Sequence, residues 1–351
     1  MELYFLDRDF QAVSPPVDTA ISLVWSLRYG ECGTFSADLP LTPGSHGETV
    51  YTAKELLALA SGAVYLCDRQ YCGRIETVTC RDAALHIGGR MLECLLYDRV
   101  AGTKTVYTGT AGQAVQAALT QWAGDLPLTV TGTIPALTET EVFPMEAGEV
   151  LGRWLHRLLA PLGAMYSVEL REGRLVFAVT VGTDRSLDSR DGVNRAIFSE
   201  DFGNIASLEA ELYREAAINR IYVEGSDGTV VTVDQAPAAD RRKEGYKKAA
   251  DIRPAEYGST AAYKAALTRR GRELLAANGE IFRLTCRGEY DTQPAYGRDY
   301  RLGDICEVQG DSLGVRQAVR LTAVDVVYEG GTVQLYPRFG DTVARIRTTI
   351  G

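Results

Sequence analysis

Histidine is scarce, three in 351 residues, and little else here suits imidazole chemistry. His46, His86 and His156 stand far apart, none lies in an H-E-x-x-H run, and no G-x-S-x-G elbow occurs. The zinc-peptidase and serine-hydrolase signatures are therefore missing. No run of 18 apolar residues exists, so no segment reads as a membrane-spanning helix. The seven cysteines, Cys32, Cys67, Cys72, Cys80, Cys94, Cys286 and Cys306, contain no C-x-x-C pair, which counts against zinc ribbons and thioredoxin-like sites. Their odd number and mostly apolar, strand-like settings predict buried free thiols and assembly in a reducing cytoplasm. Residues 1–20 hold Asp7, Arg8 and Asp9 and no long apolar run, so no signal peptide is evident, and no N-x-S/T sequon occurs. Positive charge is also short. The net charge is −9 and the pI about 5.1, which argues against a protein that grips nucleic acid by neutralising phosphates.

What is present is strand chemistry. Eighteen tyrosines and 35 glycines, with many Thr and Val, favour short strands joined by tight turns. The length is too great for one ordinary core, so two or three domains are expected. In "ISLVWSLRY", Ile21, Leu23, Trp25, Leu27 and Tyr29 share one face of a strand; in "TFSADLP", Phe35, Ala37 and Leu39 do. A short helix over Tyr51–Ala60 precedes "AVYLC", "CGRIETVTC" and "ALHIGGRML", which read as antiparallel strands turning near Arg69-Gln70 and Arg81-Asp82. A small closed barrel suits residues 1–100, because closure leaves few free strand edges.

Residues 101–195 switch to helical period. Thr110 caps a helix bearing Val115, Ala118, Leu119 and Trp122, and Leu151, Trp154, Leu155, Leu158 and Leu159 form the stripe of a second, stopped by Pro161 and Gly163. His156 lies off that stripe and reads as solvated, whereas His86 reads as structural within its strand. "MYSVELREGRLVFAVTV" is a hairpin turning at Glu172-Gly173. This is a small α+β unit between β-rich segments. Strands return from 196 to 351, with an insertion at about 236–279. There, Gln235–Tyr257, holding Arg241, Arg242, Lys243, Lys247 and Lys248 among acidic residues, reads as a solvated mobile loop. A helix over Ser259–Ala277 follows, with Tyr263, Leu267, Leu274 and Leu275 inward and Asn278-Gly279 ending it. A short internal echo, "RIETV" at Arg74–Val78 and "RLTAV" at Arg320–Val324, starts strands that return to Arg90 and Arg338.

Chemistry is sparse. Asp201-Phe202-Gly203 copies a kinase magnesium motif, but neither G-x-G-x-x-G nor H-R-D occurs, and phosphoryl transfer needs all the parts together. Glu139, Glu141, Glu146 and Glu149 cluster, as do Glu209, Glu211 and Glu215. Paired carboxylates suit a cell-wall glycoside hydrolase, yet Glu146 and Glu149 also precede a helix that favours negative charge. A carbohydrate-binding β protein would show a strip of exposed Trp or Tyr; Trp25, Trp122 and Trp154 fall on expected buried faces instead. No residue is assigned as catalytic, cofactor-binding or metal-binding, and no cofactor is expected.

Residues 207–217 favour helix by composition and strand by alternation. "FSEDFGNI" with "NRIYVEG" resembles the start of the second half of siphophage tail-tip hub proteins, the tail-associated (Tal-like) family whose barrels are similar to the baseplate hub of contractile phages. "SLVWSLRYGECGTFSADLPL", "GRIETV", "HIGGRML", "YRLGDICEV" and "GTVQLYPRFGD" resemble its other strands, so the likeness covers nearly the whole chain. The resemblance implies a mainly β fold of two hub-type β-barrels related by pseudo-symmetry, at 1–100 and 196–351, with the α+β domain 101–195 inserted. It makes Ser207–Tyr213 and Arg220–Glu224 strands, and Asp201–Gly203 a loop in which Phe202 packs and Asn204 bonds backbone. It implies a non-enzymatic virion or prophage tail protein at the tail tip, a homotrimer assembled in the bacterial cytoplasm. Its partners would be a distal tail ring or tail tube protein, the tape measure protein, spike, fibre or receptor-binding proteins, and DNA in passage at ejection. With twelve residues after Phe339, any wall-degrading or receptor-binding activity is expected on another chain.

Overall fold

The computed structural model describes residues 1–41, 51–81, 83–135, 141–190, 192–205, 208–215, 217–235, 242–279, 281–286 and 292–341. The fold is mostly β with a few helices. In chain order come β1 (Tyr4–Leu6), β2 (Ser22–Arg28), β3 (Thr34–Pro40), α1 (Ala53–Gly62), β4 (Tyr65–Cys67), β5 (Cys72–Arg81), β6 (Ala84–Met91) and α2 (Cys94–Tyr97). Then follow β7 (Thr105–Gly109), α3 (Ala111–Ala123), β8 (Thr129–Thr131), β9 (Glu141–Met145), α4 (Leu151–Leu159), β10 (Ala164–Arg171), β11 (Arg174–Val181) and β12 (Ile197–Ser199). The last are β13 (Leu208–Tyr213), β14 (Arg220–Gly225), β15 (Val230–Asp234), β16 (Glu244–Ala249), α5 (Thr260–Ala277), β17 (Ile281–Cys286), β18 (Ile305–Gly310), β19 (Val315–Glu329) and β20 (Thr332–Asp341).

Two compact units result, Met1–Ser207 with Cys286–Arg338, and Leu208–Thr285 with Phe339–Gly351. The first is built on a sheet of order β1-β4-β5-β6-β3-β2-β19-β20, with β18 along the early part of β19 and β12 parallel to β18. Strict alternation drives it. Leu23 and Trp25, Phe35, Ala37 and Leu39, and Leu85, Ile87 and Met91 all turn to one face, where Leu56 and Ala60 of α1 cover them. Each large side chain so buried contributes about 1.5–3 kcal/mol. The indole N–H of Trp25 donates to Asp68 Oδ2 at 2.7 Å, so its one polar atom is satisfied. Ile21, expected in line with Leu23, lies before the strand and is half exposed.

The second core of this unit gathers α3, α4 and the β10–β11 hairpin. Thr110 closes a capping box with Gln113, and Gly163, with φ 66°, follows the turn that ends α4. Glu172 and Gly173, both at positive φ, make the hairpin turn. Strands β7, β8 and β9 have too little apolar alternation to be read from sequence. The helix of His156 is buried on almost every side, because the hairpin covers the flank that the stripe leaves bare. The imidazole is not solvated as expected; it is 5% exposed and stacks on Tyr166 at 4.1 Å.

The thiols also differ from expectation. The tight turn after Asp68 puts Cys67 opposite Cys72 in the β4–β5 register, and the two form a disulfide. Cys94 is a buried free thiol, Cys306 is buried, Cys32 is partly buried and Cys80 is exposed. Burial pushes the Cys94 thiol up to about 12.

In the second unit β14 is the centre of a three-stranded sheet, antiparallel to β15 and parallel to β16, and β13 pairs with β17. Helix α5, capped by Ser259, packs on the sheet through Tyr263, Ala266, Leu267 and Leu275, with Leu274 at the margin. The solvated loop expected at Gln235–Tyr257 contains strand β16 instead. Both faces of that strand carry polar side chains, so alternation could not reveal it; its backbone ladder to β14 holds it. Within the run, Arg241 lies outside the described residues.

Candidate functional site

The face of the main sheet opposite α1 is polar and partly exposed, with Asp325 buried at one side. Register aligns five strands into rows across it. Asp325, Ser26, Thr34, Arg90 and Arg74 form one row. Val327, Val24, Ser36, Gly88 and Thr77 form the next, and Glu329, Ser22, Asp38, His86 and Thr79 the third. The surface is hydroxyl-rich and has few aliphatic groups.

Four of its arginines are neutralised in place. Arg74 meets Glu76 at 2.6 Å and Asp98 at 2.5 Å, and Arg90 meets the same two carboxylates at 2.7 and 2.9 Å. Arg28 and Arg338 close on Asp325 at 2.9 and 2.8 Å. His86 Nδ1 lies 2.6 Å from Asp38 Oδ1, and the Ser22 hydroxyl donates to Asp38 Oδ2 at 2.9 Å. With Arg81, which follows Thr77 and Thr79 in phase opposite Ala84, five guanidinium groups share this face with the five carboxylates of Glu76, Asp98, Asp325, Asp38 and Glu329. Hydrogen bonds from Arg90 hold the Glu76 carboxyl below its usual range, against partial burial, with Arg74 adding to the effect.

A β-bulge makes this arrangement possible. The β5–β6 register shifts between Ile75 and Thr77, so Glu76 is the extra residue. It turns outward between Arg74 and Thr77, where alternation alone would place only one of two neighbours. Gly89 permits the close approach: a Cβ there would collide with the Arg74 carbonyl oxygen. Chemically, such a face does not invite a polyanion, since phosphate binding draws on cations free to replace counterions.

The other sequence candidates do not converge. Glu146 pairs with Lys104 and Glu149 with Arg157, each at 2.8 Å, and Glu149 Oε2 accepts from the Glu146 N–H at 3.0 Å. Glu139 and the Glu141 side chain lie outside the described residues, as does His46. Glu209 and Glu215 are exposed and Glu211 partly so. Asp201-Phe202-Gly203 is a turn with Gly203 at φ 63°. Phe202 does not pack; it is 63% exposed, because the turn carries it outward. Asn204 does bond backbone: its Oδ1 accepts from the Ser199 N–H at 2.8 Å, and its Nδ2 donates to the Ile197 and Gln293 carbonyls at 2.9 and 2.7 Å. Trp154 is buried and donates to the Pro144 carbonyl, while Trp122 is partly buried and donates to Tyr107. Among the described residues no group of three His, Cys, Asp or Glu side chains could hold a metal ion, and no helix is long and apolar enough to cross a membrane.

Residues 1–341 match the family described as Siphovirus ReqiPepy6 Gp37-like protein. The chain belongs to that siphovirus tail protein family. The tail protein has the fold of several solved relatives at low identity. It is similar to a tail protein from Neisseria meningitidis MC58, with 14% identity, TM-score 0.60, and 97% and 95% of the two chains covered. It is also similar to the 43 kDa tail protein of prophage MuSo2 from Shewanella oneidensis, with 12% identity, TM-score 0.59, and 96% and 97% covered. A third likeness is to prophage tail protein gp18 from Listeria monocytogenes EGD-e, with 9% identity, TM-score 0.55, and 97% and 94% covered. Among curated proteins none matches the tail protein.

Proposed function

We propose that the tail protein is a trimeric baseplate or tail-tip hub, joining a sixfold tail tube to a threefold tip and lining the path of the tape measure and DNA. Two similar barrels per chain, at 1–100 and 196–351 around the α+β domain 101–195, give six barrels in a trimer and resolve the symmetry mismatch without new chemistry. The observation that carries this reading is the charge-balanced polar face of the main sheet. A path for DNA must not hold phosphates, and here each arginine in the rows is held by carboxylates. The internal echo supports the pseudo-repeat in physical terms. Arg90 returns to Glu76 on the preceding strand, and Arg338 returns to Asp325.

In this reading the work is assembly and gating, not catalysis, at the tip of the virion tail after assembly in the bacterial cytoplasm. The upper surface meets the distal tail ring or tube protein, and spike, fibre or receptor-binding proteins attach below. Negative-stain imaging with mass determination, alone and with the neighbouring tail protein, tests it. A threefold ring with a central opening is the expected result; a monomer in both samples rejects the hub. Muralytic activity of the purified chain that disappears in Glu149→Gln would instead favour a cell-wall hydrolase.

A further inference from the structure

The second unit exposes a surface that the hub reading does not use. Helix α5 covers one face of the β15-β14-β16 sheet, through Ile221, Val223 and Val233. On the other face, register builds a grid. Asp234, Arg220 and Glu244 lie in one row, Thr232, Tyr222 and Tyr246 in the next, and Val230, Glu224 and Lys248 in the third. Two tyrosines therefore stand side by side at the centre, on neighbouring strands about 4.8 Å apart. Tyr246 is 57% exposed, and Val230 and Thr232 border the pair in the open.

The groups around the pair fix its orientation. Arg220 lies over the Tyr222 ring at 5.3 Å, and the Tyr222 hydroxyl donates to Glu244 Oε1 at 3.3 Å. The Tyr246 hydroxyl donates to Glu224, which Lys248 also meets at 3.6 Å. Arg220 is bracketed by Asp234 at 3.4 Å and Glu244 at 3.8 Å, and Arg242 meets Glu244 at 3.8 Å. Three cations thus oppose three carboxylates on this face, and its charge cancels.

We propose that this face is a binding platform for a neutral oligosaccharide. Aromatic faces attract the C–H side of a flat pyranose; the exposed Tyr246 ring offers such a face to one sugar, and Tyr222, with Arg220 over its ring, borders it. The surrounding carboxylates, guanidinium and Thr232 hydroxyl supply acceptors and donors for equatorial hydroxyls at the rim. Cancelled charge disfavours phosphate or uronate chains, and the single aliphatic side chain, Val230, is too little for an apolar peptide. Trp25, Trp122 and Trp154 take no part, so the platform is not visible from tryptophan positions alone.

The test uses the full chain and four-sugar probes, cellotetraose and chitotetraose, with a hyaluronan tetrasaccharide as the anionic control. Binding is read by saturation-transfer NMR and calorimetry. Saturable binding of a neutral probe, with hyaluronan weaker, is expected. Tyr246→Ala should weaken it about tenfold, while Tyr246→Phe, which keeps the ring, stays close to wild type. Tyr213→Ala, on a strand outside this sheet, should leave affinity unchanged. Circular dichroism melting shows that each variant is folded. Absence of saturable binding by both neutral probes overturns the proposal, as does equal affinity for hyaluronan or a Tyr246→Ala variant that binds normally. Sedimentation adds one more adverse outcome: if Tyr246→Ala dissociates an oligomer and no sugar binds, the face joins copies of the chain.

Discussion

At the residue scale the informative groups are buried polar ones. Asn204 satisfies three backbone groups, whereas its neighbour Phe202 satisfies none. Asn204→Ala should therefore cost about 3 kcal/mol by leaving those groups unpaired, and Phe202→Ser should stay within about 0.5 kcal/mol. Denaturant titration of both variants measures the contrast. His156 and Glu93 make stability depend on pH with opposite signs. Burial without a hydrogen-bond partner lowers His156 from 6.5 to about 3. Between those values the unfolded chain takes a proton that the folded chain refuses, so stability falls as pH falls, by up to about 1.4 kcal/mol per pH unit. Burial raises Glu93 from 4.5 to about 7, with Oε2 unpartnered. The folded chain keeps that proton where the unfolded chain releases it, so this contribution is full below pH 4.5 and is lost as pH rises through about 7. Melting temperatures across pH should show His156→Phe flattening the acid limb, and Glu93→Gln gaining most above pH 7. A variant that shifts both limbs equally would contradict the assignment.

At the element scale, glycines decide where strands and helices approach. Gly271 sits inside α5, where it costs about 1 kcal/mol of helix propensity relative to alanine. A Cβ there would meet Val233 Cγ2 at 2.5 Å. Overpacking costs about 1–3 kcal/mol, more than the propensity gained, so Gly271→Ala should be destabilising in thermal melts. Gly89→Ala should be worse, because the obstruction is the Arg74 backbone beside the bulge rather than a side chain. Helices α3, α4 and α5 were legible in the sequence through Thr110, Ser259 and the Leu151–Leu159 stripe, since capping and period are local properties. Strand β16 and the short strands β7, β8 and β9 were not, since their partners lie far along the chain.

At the scale of the whole molecule, charge placement outweighs net charge. Glu76→Gln with Asp98→Asn would leave Arg74 and Arg90 without their carboxylates. The double variant should acquire duplex-DNA binding at low salt that weakens as salt rises, while the native chain shows none. Filter binding across a salt series measures this; an unchanged double variant would remove the argument that neutralised arginines keep the face from holding phosphates.

Legible along the chain were the β-rich class, Leu23 and Trp25 of β2 and Phe35, Ala37 and Leu39 of β3 as inward residues, the long helices, the β10–β11 turn and the tail-protein resemblance. Those depend on alternation, helical period and turn chemistry, which neighbouring residues set. Folding in three dimensions was needed to enclose His156, to bring Cys67 onto Cys72 and to bulge Glu76 outward. It alone aligned the rows of the polar face and brought Tyr222 beside Tyr246. These follow from register between distant strands and from which element covers which, and no local pattern encodes either.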